Sequence, residues 1–310
     1  MRGYASTLLL LLLGRFVLGD RTPLLFVLNS FLLFAFVPLP VMLILSLVAR
    51  NNEGLVLCLL GVGTWTWLWG GLFWSHGTPA PPGPELTVLS YNALGRNHDT
   101  DDTLRVIRDS EADVVAIQEL NPDTASAIES QLYLVYPYRW LEPRGVAGMG
   151  LLSKFPLERS GPLPDSGWIG RPLVATLSVE GREVTVVAFH AASGPEHIEA
   201  REREARILGA LGCDRGERLV IAGDLNATDQ HEAYAAVTRC LRDGWREVGW
   251  GFGHTFPAVR RKVWGISVPR SLLRLDYVFH SPDLVALDAE LAPKTEASDH
   301  RGVVVTVGVP

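Results

Sequence analysis

Apolar residues follow two regimes along this chain. From Leu24 to Ala49 it runs 26 residues without a charge, and from Leu55 to Trp74 it is again apolar, with Trp65, Trp67, Trp69 and Trp74 crowding one end. A helix needs about 20 residues to cross the hydrocarbon layer and tryptophan favours the interface, so both stretches predict membrane spans. Pro38 and Pro40 would kink or divide the first of them. The leucine run from Ser6 to Leu18 is shorter and Arg15 interrupts it. It predicts a third span rather than a signal peptide, because more hydrophobic sequence follows directly. GTPAPPGP, Gly77 to Pro84, cannot hold a regular element and predicts a short, stiff linker. The chain thus divides into an anchor of two or three transmembrane helices at 1–76, a linker at 77–84 and a domain at 85–310.

Past the linker, short β-rich runs alternate with polar, helix-compatible stretches, the pattern of an α/β or mixed-sheet domain. Strands are expected at Glu85 to Tyr91, Val114 to Gln118, Gly150 to Leu152, Leu173 to Val179, Val184 to Phe189, Leu219 to Ala222, Leu275 to Phe279 and Val303 to Val307. Helices are expected at Asp101 to Asp109, Pro122 to Glu129, Pro195 to Leu211 and Gln230 to Cys240. The third helix is dense in Glu and Arg around Ile198, Ala205 and Leu208, and reads as a solvated surface helix. EGRE, between Val179 and Val184, supplies a hairpin turn between antiparallel strands.

Charge sharpens the division. Up to about residue 75 the charged residues are Arg2, Arg15, Asp20, Arg21, Arg50 and Glu53; removing them from the chain's 28 basic and 34 acidic residues leaves the remainder near −8. Phosphate neutralisation supplies most non-specific affinity for duplex nucleic acid, so an acidic domain weakens a nucleic-acid reading. With three spans, and Arg2 and Arg50 cytoplasmic, the domain would lie outside the cytoplasm; the absence of Lys and Arg from Ser75 to Gly95 fits, while Arg15 and Arg21 argue the other way. Cys58, Cys213 and Cys240 form no CxxC pair, so no zinc site is implied. Cys213 and Cys240 have the option of pairing in an oxidising compartment, but are read as free thiols.

Polar residues recur just past the hydrophobic strands, where α/β proteins build sites. They are Asn92 after LTVLSY, Glu119 after VVAIQ, His190 after VTVVAF, Asp224 and Asn226 after LVIAG, Asp276 within RLDYVF, and Asp299 with His300 in ASDH. Taken singly, each has a bland explanation: Asn92, Asp224, Asn226 or Glu119 as a turn or helix cap, His190 as a satisfied buried histidine, Asp276 as a partner of Arg274. Taken jointly, these explanations multiply into something improbable.

The ordered set YN, QE, a strand-terminal His, GDLN, RLDY and SDH, with GMGLLSKFP at Gly148 to Pro156, resembles the endonuclease/exonuclease/phosphatase superfamily over about residues 85–308. The hydrophobic N-terminus and proline linker further resemble a membrane-bound bacterial subgroup. The resemblance implies an α/β (α+β) fold, a four-layered sandwich of two mixed β-sheets flanked by helices, here preceded by N-terminal transmembrane helices. It implies hydrolysis of a phosphodiester or phosphomonoester with Mg²⁺ (or Mn²⁺) as cofactor. Glu119 would be the principal metal ligand, with Asn92 and Asp299 close to the same ion. Asp224 and Asn226 would orient the attacking water and a phosphate oxygen. Asp276 would fix His300 as base or phosphate-stabilising cation, and His190 would serve the leaving oxygen.

Phe189, Ala191, Gly302 and Met149 depart from the usual pattern without removing a chemical group from this set; Met149 stands where an Asn is common and bears on how phosphate is gripped. A loop with Arg260, Arg261 and Lys262 before Trp264 is a candidate reader of a nucleotide or anionic headgroup. The expected partners are a membrane and a phosphoester substrate, whether phospholipid, nucleic acid or small phosphodiester, with no protein partner inferred. The rival readings are a membrane-tethered nuclease and a catalytically inactive binding domain.

Overall fold

The structure, a computed structural model, describes residues 2–74, 82–164, 168–214, 218–263 and 266–310. The N-terminal segment is helical throughout: α1 (Arg2–Leu13) continues as a π-helical turn, Gly14–Leu18; α2 (Pro23–Ser30) leads through a 3₁₀ stretch, Leu32–Phe36, to α3 (Leu39–Val48); and α4 (Asn52–Trp69) ends in a 3₁₀ turn, Gly70–Phe73. Pro23 sits at the first turn of α2, where its missing N–H costs nothing, and Thr22 caps Leu25 N–H. By length and composition, Asn52–Phe73 (22 residues) is long and apolar enough to cross a membrane by itself. Pro23–Ser30 and Leu32–Val48 qualify together, as a pair bent by 58° at the break. α1 is too short to qualify alone.

These helices pack on one another and on the following domain. Arg2 pairs with Glu53 at 2.7 Å, so the starts of α1 and α4 lie together. Their far ends both reach the domain: Asp20 Oδ1 accepts Glu232 N–H, and Leu72 O accepts Gly251 N–H at 2.7 Å. Aromatic rings continue the seam, with Phe73 edge-on to Phe252 and Trp250. The outward faces stay apolar: Leu10, Leu24, Val48, Leu60 and Trp67 are exposed. Of the expected linker, residues 77–81 lie outside the described residues.

The domain then runs β1 (Glu85–Asn92), α5 (Thr100–Asp109), β2 (Val114–Gln118), α6 (Pro122–Gln131), β3 (Tyr138–Glu142), β4 (Met149–Ser153), β5 (Glu158–Arg159), β6 (Gly170–Val179), β7 (Arg182–His190), α7 (Ile198–Asp214) and β8 (Leu219–Asp224). It closes with α8 (Glu232–Val237), β9 (Arg242–Asp243), α9 (Gly244–Val248), β10 (Arg261–Val263), β11 (Ile266–Val268), β12 (Asp276–His280), β13 (Val285–Leu291) and β14 (Val303–Gly308). One sheet has the order β13-β14-β1-β2-β4-β3, the other β5-β6-β7-β8-β12-β9. Each is mixed, with a central parallel pair, β1 with β2 and β7 with β8. Those four strands are buried along most of their length, and their apolar runs suit burial on both faces.

The sheets stack through Val88, Ala116, Val186, Ala188, Ala222, Val278 and Val305. α5 and α6 cover one outer face over Ile117 and Val115, and α7 and α8 the other over Val187 and Ile221. These are the expected four layers. Every expected strand and helix is present, with ends differing by a few residues, and the EGRE turn joins antiparallel β6 and β7. Short or edge strands β3, β5, β9, β10, β11 and β13 and the one-turn helix α9 are additions.

Three expectations need correction. Cys213 and Cys240 are joined in a disulfide, with Cα atoms 5.2 Å apart, because the ends of α7 and α8 lie side by side; Cys58 alone is a free, buried thiol. Helix α7 begins at Ile198 rather than Pro195, and it is not merely solvated, since Arg201 and Glu204 on its inner face are 1% and 0% exposed. Arg274 pairs with Asp243 at 2.8 Å, leaving Asp276 to another partner. The basic loop forms the β10–β11 hairpin, with Trp264 outside the described residues. The disulfide closes a loop across 27 positions. Replacing both cysteines by serine is expected to cost about 3 kcal/mol, read as a lower midpoint in denaturant titrations that reductant no longer shifts.

Candidate active site

Parallel pairing puts the ends of four strands at one end of the sandwich. His190 is the register partner of Asp224 on β8, Asp224 the partner of Asp276 on β12, and Asn92 the partner of Gln118, just before Glu119. The loops there are tightly bent: Leu94, Glu119 and Asn226 have φ of 61°, 56° and 52°, in the left-handed region that side chains seldom enter. Such bends cost about 1–3 kcal/mol each and cluster at functional sites. At Glu119 the bend turns the carboxylate back toward β1, where Oε2 accepts Gly95 N–H at 2.8 Å and Oε1 accepts from Asn92 Nδ2 at 3.1 Å.

Asn92 Nδ2 also donates to Asp224 Oδ2 at 3.2 Å, so one amide bridges two carboxylates from opposite sheets. Asp224 Oδ1 accepts Asn226 N–H at 2.8 Å, and Asn226 Nδ2 donates to Ala191 O at 3.0 Å, tying the β8 loop to the residue after His190. His300 Nδ1 lies 2.9 Å from Asp276 Oδ2. His190 Nε2 and His300 Nε2 approach Asp224 Oδ2 at 3.7 and 3.8 Å. Ser298 Oγ donates to Asn92 O at 2.6 Å and accepts His300 N–H, fixing the last loop onto β1. Asp299, 5% exposed, stands beside His300, and its carbonyl accepts Ala258 N–H.

The two histidines differ in charge state. Burial opposes a charge on His300, but Asp276 and Asp224 outweigh it and push the imidazole up to about 10. Burial pushes His190 well below the usual imidazole range in spite of Glu119 nearby. Burial, with Asp276 as a second negative neighbour, raises Asp224 far above an ordinary carboxylate. One cationic and one neutral imidazole therefore flank Asp224.

Every residue expected at the site comes to this end of the sandwich. Asn92, Glu119, Asp224, Asp276 and His300 are linked by direct contacts, and Asn226 and His190 border them. Asp224, Asp276 and His300 offer ligand atoms that all lie within 4.8 Å of one another. Four carboxylates against two imidazoles leave a negative end, and Asp276 Oδ1 is buried with no hydrogen-bond partner. This hard-oxygen set fits a divalent cation. What the sequence reading missed is the support: Ser298, the Gly95 N–H, and Arg201 with Glu204 behind the His190 loop. Positions 198, 201, 205 and 208 are spaced as one helical stripe, which was the available signal for Arg201.

Two stacked mixed sheets carrying such a centre at one end belong to the class of hydrolases acting on phosphoester bonds. The chain belongs to the endonuclease/exonuclease/phosphatase family, whose model matches residues 89–300. Among solved structures, D. rerio TDP2 complexed with single-strand DNA product is 18% identical, with 72% of this chain and 98% of that chain covered and a TM-score of 0.60. The human Nocturnin catalytic domain with bound sulfate is 16% identical, covering 74% and 96%, at a TM-score of 0.57. An endonuclease/exonuclease/phosphatase from Beutenbergia cavernae is 22% identical, covering 73% and 72%, at 0.54. At these identities the likeness shows the fold. No curated protein matches the sequence.

Proposed function

We propose that this protein is a membrane-anchored, divalent-metal-dependent phosphoesterase acting on a phosphoester presented at the bilayer surface. The observation that carries the reading is the contact of Asn92 with both Glu119 and Asp224, beside the Asp276–His300 pair. Glu119, with Asn92 and Asp299, would hold Mg²⁺ or Mn²⁺; such an ion supplies charge neutralisation at the phosphate and lowers the pKa of a bound water. Asp224 and Asn226 orient the attacking water and a phosphate oxygen. His300, held by Asp276, places positive charge beside the phosphate, and His190, across Asp224, serves the leaving oxygen.

Anchoring is supported by the apolar outward faces of α1, α3 and α4. Because α1 and α4 start together at Arg2 and Glu53 and both end at the domain, the helices suit an odd number of passages, with Arg2 and the domain on opposite sides. The Cys213–Cys240 disulfide favours an oxidising compartment, and so a domain outside the cytoplasm. The acidic domain disfavours a polyanionic duplex as substrate.

The test uses the full chain in nanodiscs with Mg²⁺ or Mn²⁺, against phospholipid vesicles, bis-p-nitrophenyl phosphate, plasmid DNA and RNA. Metal-dependent release of headgroup or nitrophenol, exceeding cleavage of DNA and RNA, is the expected result. Preferential cleavage of DNA or RNA would replace it with a nuclease, and no turnover of any substrate would leave a binding domain.

A further inference from the structure

The helices preceding the domain touch it in more than one place, and one of these lies behind the two loops that carry His190 and Asn226. One residue of α2, Phe26, meets both supports. Its ring lies under the Arg201 guanidinium, 4.3 Å from carbon to ring centroid, and against the His231 imidazole, centroids 4.2 Å apart. Its carbonyl faces His231 Nε2 at 3.0 Å. The ring is 8% exposed, whereas Leu24 and Val27 on the same helix face outward.

Arg201 reaches from α7 to the loop that follows His190. Its Nε donates to Ala192 O at 3.0 Å and its Nη2 to Gly194 O. From the next turn of α7, Glu204 Oε2 accepts Ala192 N–H at 2.7 Å, so the two side chains grip both polar groups of one peptide unit's residue. Arg201 Nη1 has no hydrogen-bond partner, and the guanidinium is almost wholly removed from water. A desolvated cation gains most from an aromatic face, and Phe26 supplies that face.

His231 does the same for the other loop. Its Nδ1 accepts Thr228 N–H at 2.9 Å, which leaves the Nε2 proton for the Phe26 carbonyl. Burial pushes this imidazole down to about 4, so the ring is neutral, as that bonding pattern requires. Thr228 is two residues beyond Asn226, and the Asn226 amide closes the circuit by donating to Ala191 O.

We infer that Phe26 of the N-terminal helices, acting through Arg201 and His231, positions the loops of His190 and Asn226, so that the anchor is part of the catalytic scaffold and not only a tether. Phe26, Arg201 and His231 are positioning residues, touching neither substrate nor ion. This rests on the phosphoesterase reading above and on the role of His190 at the leaving oxygen. A displacement of about 1 Å at a reacting group is enough to cost about 10²-fold in rate. A loss arising in this way falls on kcat and is larger for a strongly basic leaving oxygen.

The experiment uses the full chain in nanodiscs with Mn²⁺ and two probes, bis-p-nitrophenyl phosphate and diphenyl phosphate, whose leaving oxygens differ in basicity. Phe26→Leu and Arg201→Gln are expected to lower kcat on diphenyl phosphate about 10- to 100-fold, with a smaller loss on the nitrophenyl ester and KM unchanged. Phe26→Tyr, which keeps the ring, restores the parental rate, and Leu24→Ala, on the outward face, leaves it unaltered. In a His190→Gln chain, Phe26→Leu keeps only the smaller part of its loss, which arises at the Asn226 loop and is the same on both probes. Equal losses on both probes, or a full additional loss in the His190→Gln background, overturn the inference while leaving the phosphoesterase standing. A His190→Gln chain with parental rates on both probes overturns the His190 assignment and the inference together.

Discussion

Glu119→Ala is expected to lower metal-dependent hydrolysis about 10³-fold, roughly 4 kcal/mol of transition-state stabilisation, while the protein stays folded. The reasoning begins with position. Glu119 follows a fully buried strand in a left-handed conformation, accepts the Gly95 N–H and is bridged by Asn92 to Asp224. No Lys or Arg side chain hydrogen-bonds to it among the described residues, so its charge is available to a cation. Removing the carboxylate leaves Asn92 with Asp224 as its acceptor and Gly95 N–H near solvent, a modest structural cost. Activity and Mn²⁺ binding, read by calorimetry on the same preparation, should fall together. Retained Mn²⁺ affinity with lost activity would move the ion away from Glu119 and toward the Asp224, Asp276 and His300 group.

Most of this centre was legible because its residues sit at the ends of strands whose apolar runs are unambiguous. LTVLSY, VVAIQ, VTVVAF and LVIAG are buried on both faces, so their boundaries and the polar residue after each stand out. Edge strands read less clearly. YRWLE and VALDAEL are half-exposed and pair on one side, and their mixed polarity does not separate from loop composition. Partner choice was less legible still: Arg274 is two residues from Asp276, yet it pairs with Asp243, which β9 brings to the edge of the same sheet, and local sequence does not carry that pairing. The disulfide depends on helix packing that brings Cys213 beside Cys240, and local sequence carries no such distance. The grip of α7 on the His190 loop was hidden by composition. A helix so rich in Glu and Arg looks solvated until the 3.6-residue period singles out Arg201 with Ile198, Ala205 and Leu208.

The second large effect belongs to the Asp276–His300 pair. Asp276 is 1% exposed, and its Oδ2 is 2.9 Å from His300 Nδ1. Against the opposing effect of burial, Asp276 and then Asp224 hold the imidazole up to about 10. Asp276→Asn keeps the shape but removes the charge that orients and stabilises the imidazolium, and kcat is expected to fall about 10²- to 10⁴-fold, as when the carboxylate of a buried Asp–His pair is lost elsewhere. Stability should change with a definite sign. A histidine whose folded pKa lies above its unfolded value of about 6.5 contributes stability that is complete below that pH and disappears as pH rises through the folded value near 10. In metal-free buffer, the parent's advantage in Tm over Asp276→Asn should therefore be greatest at pH 6 and shrink steadily toward pH 10. A gap independent of pH would mean that His300 is not held as a cation by Asp276, and His300 would then be the neutral base, with positive charge at the phosphate supplied by some other group.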